Sequence, residues 1–150
     1  MITRESLSLS IVGDTFSPGE ASRQTGLQWN RANEPGEIGA RGRYKGRPTP
    51  FGSARLEVAD ESPEEDKLTP LLRQVVPHME TLRSLDAETF EVYVGYVWRD
   101  QCNLAFSPSA MRLMGEHGIM FWVSCYEDDA SLCERSAPRR RKARRRLSRG

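Results

Sequence analysis

Between Glu5 and Val12 the chain reads Glu-Ser-Leu-Ser-Leu-Ser-Ile-Val, with Leu7, Leu9 and Ile11 at every second position and serines between them. Side chains of a strand point alternately to its two faces, so this spacing predicts a strand with one apolar and one polar face. A chain that opens in this way needs a sheet whose core lies on one side.

The remaining elements follow from capping and period. Ser17-Pro18-Gly19-Glu20 supplies an N-cap serine, a proline at the first helical position and a glutamate to close a capping box. The helix is expected to end near Thr25, with Gly26 as its left-handed cap. Leu27-Gln28-Trp29 begins a second strand, residues 32–53 form a long Gly-, Pro- and Arg-rich loop, and Ala54 to Ala59 alternates as a third strand. Ser62-Pro63-Glu64-Glu65 repeats the capping-box pattern before the main helix, which carries Leu68, Leu71, Leu72, Val75 and Val76. Pro70 belongs in its first turn and Pro77 at a kink or break, because an interior proline forfeits a hydrogen bond and clashes.

Phe90 to Trp98 is rich in aromatic and β-branched residues and suits a central strand. Ser107-Pro108 opens a helix over Met111, Leu113 and Met114 that ends at Gly118, and Ile119 to Tyr126 supplies the last strand. The order β-α-β-β-α-β-α-β predicts an α+β domain: an antiparallel sheet with helices packed on one face, containing a ferredoxin-like βαββαβ core plus an extra αβ unit.

One such core is what 150 residues can bury, so the expectation is a single domain over residues 1–133 followed by a disordered basic tail, 134–150. The longest purely apolar run, Ile119 to Val123, is far short of the roughly 20 residues that span a bilayer, and the start lacks a secretory pattern. Neither a membrane span nor secretion is expected. Cys102, Cys125 and Cys133 are odd in number and widely spaced, which fits reduced thiols in a cytoplasmic protein. With only His78 and His117 beside them, and no Cys-x-x-Cys or His-x-x-x-His spacing, no metal or other cofactor is expected.

The formal charge of +1 conceals a separation. Residues 1–135 hold 14 cations against 21 acids, a net −7, whereas residues 136–150 hold eight cations and no acid. Blocks of like charge repel, stay extended and often serve as arms for nucleic acid, so Arg139, Arg140, Arg141, Lys142, Arg144, Arg145 and Arg146 are candidate anion- or partner-binding residues. The competing readings are an arm that folds back on the acidic body, one that docks on an acidic partner, and a solubilising terminus with no partner. A second basic set, Arg41, Arg43, Lys45 and Arg47, falls at alternate positions among Gly39, Gly42 and Gly46. On an extended backbone these cations form one ridge, with Tyr44 facing away, that would suit an anionic or acidic surface; the plainer reading is a solvated hairpin or flexible loop. It lacks the phosphate-loop spacing and does not run from a strand into a helix.

No catalytic set emerges. Asp14, after Gly13, is explained by turn chemistry, and His117, before Gly118, by the negative end of a helix. Neither histidine belongs to a signature with an oriented partner. Tyr93, Tyr96, Trp98, Phe121 and Trp122 could stack bases on an open sheet, but alternation divides them between two faces, one of which must be core.

Three landmarks line up: the opening Ser6-Leu7-Ser8-Leu9-Ser10-Ile11-Val12-Gly13-Asp14-Thr15-Phe16-Ser17-Pro18, the helix entry Leu104-Ala105-Phe106-Ser107-Pro108, and the closing Phe121-Trp122-Val123-Ser124-Cys125-Tyr126. Together they resemble a bacterial family of uncharacterised domains, domain-of-unknown-function family 4279, over roughly residues 5–127. Where members of that family carry a tryptophan entering the strand after the glycine-rich loop, this chain has Phe51-Gly52-Ser53. The resemblance implies a compact bacterial α+β domain and carries over no catalytic residue.

The expected function is therefore a non-catalytic protein-interaction module, an adaptor or an immunity- or antitoxin-like binding domain. It would meet an unknown protein partner through an exposed sheet face, with the 39–47 loop contributing. The alternative is nucleic-acid association through the Arg-rich tail.

Overall fold

The computed structural model describes residues 2–58 and 66–128. Strand β1 runs Ile2–Gly13, helix α1 Pro18–Thr25, strands β2 and β3 Arg31–Asn33 and Gly52–Val58, and helices α2 and α3 Leu68–Val75 and Met79–Ser84. Strand β4 follows at Thr89–Trp98, helix α4 at Pro108–His117 and strand β5 at Met120–Glu127. The expected end of the domain at residue 133, the tail beyond it and Cys133 lie outside the described residues.

Local chemistry sets the helix ends. Ser17 Oγ accepts the Glu20 N–H at 3.2 Å, Pro18 is the first helical residue and Gly26 closes α1 with φ 75°. The capping box is only half formed, since the Glu20 carboxylate accepts from Arg23 and Gln24 instead of reaching back to Ser17. Ser107 caps α4 in the same manner, accepting the Ala110 N–H at 3.1 Å. The expected cap Ser62-Pro63-Glu64-Glu65 lies outside the described residues, and α2 begins at Leu68, where the Asp66 carboxylate accepts the Thr69 N–H at 3.0 Å. Pro77 sits in a 3-10 turn, Val76–His78, that breaks the expected main helix into α2 and α3.

The five strands form one sheet in the order β2-β3-β1-β4-β5. The first four are antiparallel to their neighbours, but β4 and β5 run parallel. The sheet is thus mixed, because α4 carries the chain back to start β5 alongside the start of β4. The registers Leu9↔Leu56 and Leu9↔Val92 bring the alternating apolar residues of β1, β3 and β4 onto one side. There they are buried with Leu71, Leu72, Val75, Leu82, Ala110 and Met114 of the helices. That side is the core.

Candidate binding surface on the open face of the sheet

The serines that alternate with the core residues of β1 point to the other face, and the registers show what stands beside them. Ser8 lies between Glu57 of β3 and Tyr93 of β4, and Tyr93 is paired in turn with Trp122 of β5. The adjacent row runs Arg31, Arg55, Ser10, Glu91, Met120 across all five strands. Ser6, Gly95 and Ser124 form a third, and Tyr126 pairs with Val97. This face has one charged flank on β2 and β3, an aromatic flank on β4 and β5, and serines between.

The charged flank is held in place by its own contacts. Arg55 Nη2 donates to Ser8 Oγ at 2.7 Å, which explains why that serine is buried on the open face. Glu57 Oε1 is 3.3 Å from Arg31 Nε and 3.6 Å from Arg55 Nε. The longer approach falls outside hydrogen-bond distance, and Arg55 Nε is a buried donor with no hydrogen-bond partner among the described residues.

On the aromatic flank Gly95 makes room for its neighbours. A Cβ there would lie 2.6 Å from Ser6 Oγ and 3.2 Å from Tyr93 Cε1, so the Tyr93 ring leans over the glycine. The Tyr93 hydroxyl is 3.3 Å from that of Tyr126. Hydrogen bonds with Ser124 and Tyr126, together with the Arg55 charge, hold the Tyr93 phenol below its ordinary range, while the bond to Tyr93 pushes that of Tyr126 up. Trp122, Tyr126 and Met120 are each at least half exposed. Tyr96 and Phe121 turn to the helix side, where Phe121 meets Phe106 edge to face at 4.8 Å. The division of the aromatics between two faces follows the alternation.

The 34–51 loop borders the charged flank, because the hollow lined by Arg41, Tyr44 and Gly39 shares Ala32, Asn33 and Phe51 with the hollow over Arg31, Ser10 and Arg55. Its backbone is not the extended ridge that alternation suggests. Gly42–Tyr44 is a 3-10 turn, Gly42 and Gly46 have φ of 64° and 72°, and Gly39 N–H donates to Arg47 O at 2.9 Å. Internal hydrogen bonds therefore fold the loop back on itself. Arg41, Arg43, Lys45 and Arg47 are nonetheless all exposed. Tyr44 does not face away alone: it packs edge to face on Phe51 at 5.6 Å, under the Arg43 guanidinium. The tail candidates Arg139, Arg140, Arg141, Lys142, Arg144, Arg145 and Arg146 lie outside the described residues.

Other candidate residues stand apart from this face. Asp14 is exposed at the end of β1, and its turn is closed by the Phe16 N–H donating to Gly13 O at 3.3 Å. The His117 carbonyl accepts from Arg83 Nη2 at 2.6 Å at the end of α4. Among the described residues no three His, Cys, Asp or Glu side chains converge to hold a metal ion.

On the helix side, a cleft of about 270 Å³ is lined by Glu5, Asp66, Lys67, Tyr96 and Ser107, with Leu104 and Phe106 among its apolar walls. Its polar groups serve the fold. Asp66 is raised by burial but lowered further by hydrogen bonds from Thr69, Ser107 and Leu68, which leave it below the ordinary carboxylate range. Lys67 Nζ is 4.0 Å from Glu5 Oε2. Burial, with Glu5, Cys102 and Cys125 nearby, pushes Tyr96 up to about 12, so its hydroxyl stays protonated. Neither Asp14 nor His117 reaches this cleft.

Sequence reasoning singled out Tyr93 and Trp122 but not Arg31, Arg55, Glu57, Glu91 or Tyr126. Alternation on each strand gives their parity, whereas their company depends on register between strands far apart in sequence.

The profile of a family described as domain of unknown function, DUF4279, matches residues 3–128. The chain belongs to this family. The span of the DUF4279 match includes the glycine-rich loop and Phe51-Gly52-Ser53, the stretch where the sequence departs from the expected tryptophan. It therefore spans the sheet, its helices and the open face. No curated protein and no solved structure matches the chain.

Proposed function

We propose that this DUF4279 domain is a non-catalytic protein-interaction module, acting in a cytoplasmic setting, that binds a protein partner through the open face of its sheet with the 39–47 loop at the margin. The observation that carries the reading is the composition of that face: Tyr93, Trp122, Tyr126, Met120, Arg31 and Arg55 around a polar serine row. Tyr, Trp, Met and Arg are the residue types enriched at the centres of protein interfaces, and Tyr and Trp bury much area for little lost side-chain freedom. Glu57 and Glu91 stand in the two central rows and argue for a protein over a phosphate backbone, which both carboxylates would repel. An adaptor or an immunity-like role fits such a surface equally well.

The test is affinity isolation of the full chain from cells that produce it, beside the variants Trp122→Ser and Tyr126→Ser. A stoichiometric protein that is retained by the wild type and lost from both variants is the expected result. Recovery of the chain alone, or a partner held equally by the face variants, contradicts it.

A second reading rests on the eight cations of residues 136–150. If all eight meet phosphates, nucleic-acid affinity falls with salt at a log-log slope of up to about −7 and vanishes when residues 136–150 are removed. Loss of partner protein on face substitution, with no such salt-dependent binding, separates the two readings.

A further inference from the structure

The two edges of the sheet are built differently. β2 is three residues long, carries Arg31 and leads into the folded 34–51 loop. β5 is eight residues, Met-Phe-Trp-Val-Ser-Cys-Tyr-Glu, in unbroken register on β4 along its whole length. It has no proline, lysine or arginine, and no bulge interrupts its pairing. Charged residues, prolines, bulges and short length are the usual ways to prevent an edge from pairing, and β5 has only a terminal glutamate. Met120, Trp122, Val123 and Tyr126 supply half of the exposed large apolar side chains among the described residues. They project to both sides of the strand, so the edge itself is what they have in common.

We propose that β5 pairs antiparallel with β5 of a second copy of this chain, about a two-fold axis at Val123, joining two five-stranded sheets into one of ten strands. Residues opposite one another in an antiparallel pair share a face, so the axis must fall on a residue and not between two. Centring on Val123 sets Trp122 across from Ser124 and Met120 across from Tyr126 on the open side, and Phe121 across from Cys125 on the helix side. Each large aromatic then meets a small or flexible neighbour, and no two like charges oppose.

The ends of the strand decide the occupant. In this register Glu127, on the helix side, falls opposite Ile119 of the second copy. Beside that position lies Arg83: its Nη2 donates to the His117 carbonyl at 2.6 Å and would be 3.7 Å from a Cβ placed on Gly118. The acidic end of one β5 thus reaches the guanidinium at the start of the other, twice by symmetry, so the surface is complementary to itself and the assembly closes. Centring on Ser124 would instead place Glu127 against Phe121 and lose both ion pairs. The pairing makes the two open faces continuous and brings two aromatic flanks side by side. It stands independently of the partner-binding reading.

The test is the solution mass of the full chain by sedimentation equilibrium up to about 100 μM, a range that captures micromolar association. Roughly 0.15 M salt screens long-range attraction by the basic residues 136–150 and leaves ion pairs at contact distance in place. The expected mass is twice the 17.0 kDa of one chain. Val123→Lys, which sets two ammonium groups across the axis, returns it to one chain with an unchanged circular dichroism spectrum. Glu127→Arg weakens the dimer at least about tenfold and Arg83→Glu in the same chain restores it, a coupling that only facing residues show. This pair decides the matter if Val123→Lys does not fold. A single-chain mass at every concentration, a folded Val123→Lys variant that remains dimeric, or failure of the charge exchange to restore association overturns the proposal. Each of these outcomes leaves partner capture by the open face unaffected.

Discussion

Gly52 and Gly95 illustrate how differently two strand glycines can be constrained. A Cβ on Gly52 would lie 1.6 Å from the backbone oxygen of Phe16, which the turn after β1 fixes. One on Gly95 meets only the ends of the Ser6 and Tyr93 side chains, which can move. Gly52→Ala is therefore expected to cost about 3 kcal/mol or more and Gly95→Ala about 1 kcal/mol, read as the difference in urea unfolding free energy. Equal costs would contradict the geometry. Tyr96 gives a prediction of opposite sense to the usual carboxylate. Its folded value of about 12 is raised above the ordinary 10, so its contribution is fully present below pH 10 and is lost as pH rises through about 12. Tyr96→Phe should remove that part of the alkaline decline in stability, measured by thermal unfolding across the same range.

Helices α2 and α4 are joined at their first turns. Asp66 accepts from both the N–H and hydroxyl of Thr69, Thr69 Oγ1 lies 2.9 Å from Ser107 Oγ, and Ser107 caps α4. Removing Asp66 by Asp66→Ala should cost about 1 kcal/mol, as loss of a helix cap does. Because the fold lowers the Asp66 value, its contribution is present above the ordinary carboxylate value and fades as pH falls through the lowered one. Thr69→Val, which removes the hydroxyl in the middle of the relay but keeps the residue 69 N–H on Asp66, should lower stability by a similar amount and weaken that acid dependence without abolishing it. The ends of α1 and α4 were legible because Ser-Pro entries and following glycines act within one turn of chain. The break at Pro77 was legible for the same reason. The ridge that alternation offers for Arg41 to Arg47 does not form, because alternation is only meaningful on a strand, and Gly42 and Gly46 turn the chain into a folded-back loop before it can repeat. The parallel direction of β5 and the assembly of the open face depend on contacts between distant segments, which no local spacing encodes.

At the scale of the whole molecule, one sheet divides the chain into a side packed against the helices and an open side, to which the proposed function assigns partner binding. The division begins with the leucines and serines of β1 and is completed by register. Met111 and Met120 allow it to be tested directly, since they are 49% and 50% exposed but lie on α4 and on the open face respectively. The decisive measurement is hydroxyl-radical footprinting of the full chain, alone and with its isolated partner, at one concentration so that any self-pairing of β5 is common to both. The account predicts that partner binding slows oxidation of Met120, Trp122 and Tyr93 by several-fold while Met111 reacts as before. Protection of Met111 with Met120 and Trp122 unchanged would contradict it, placing the partner on the helices and not on the sheet.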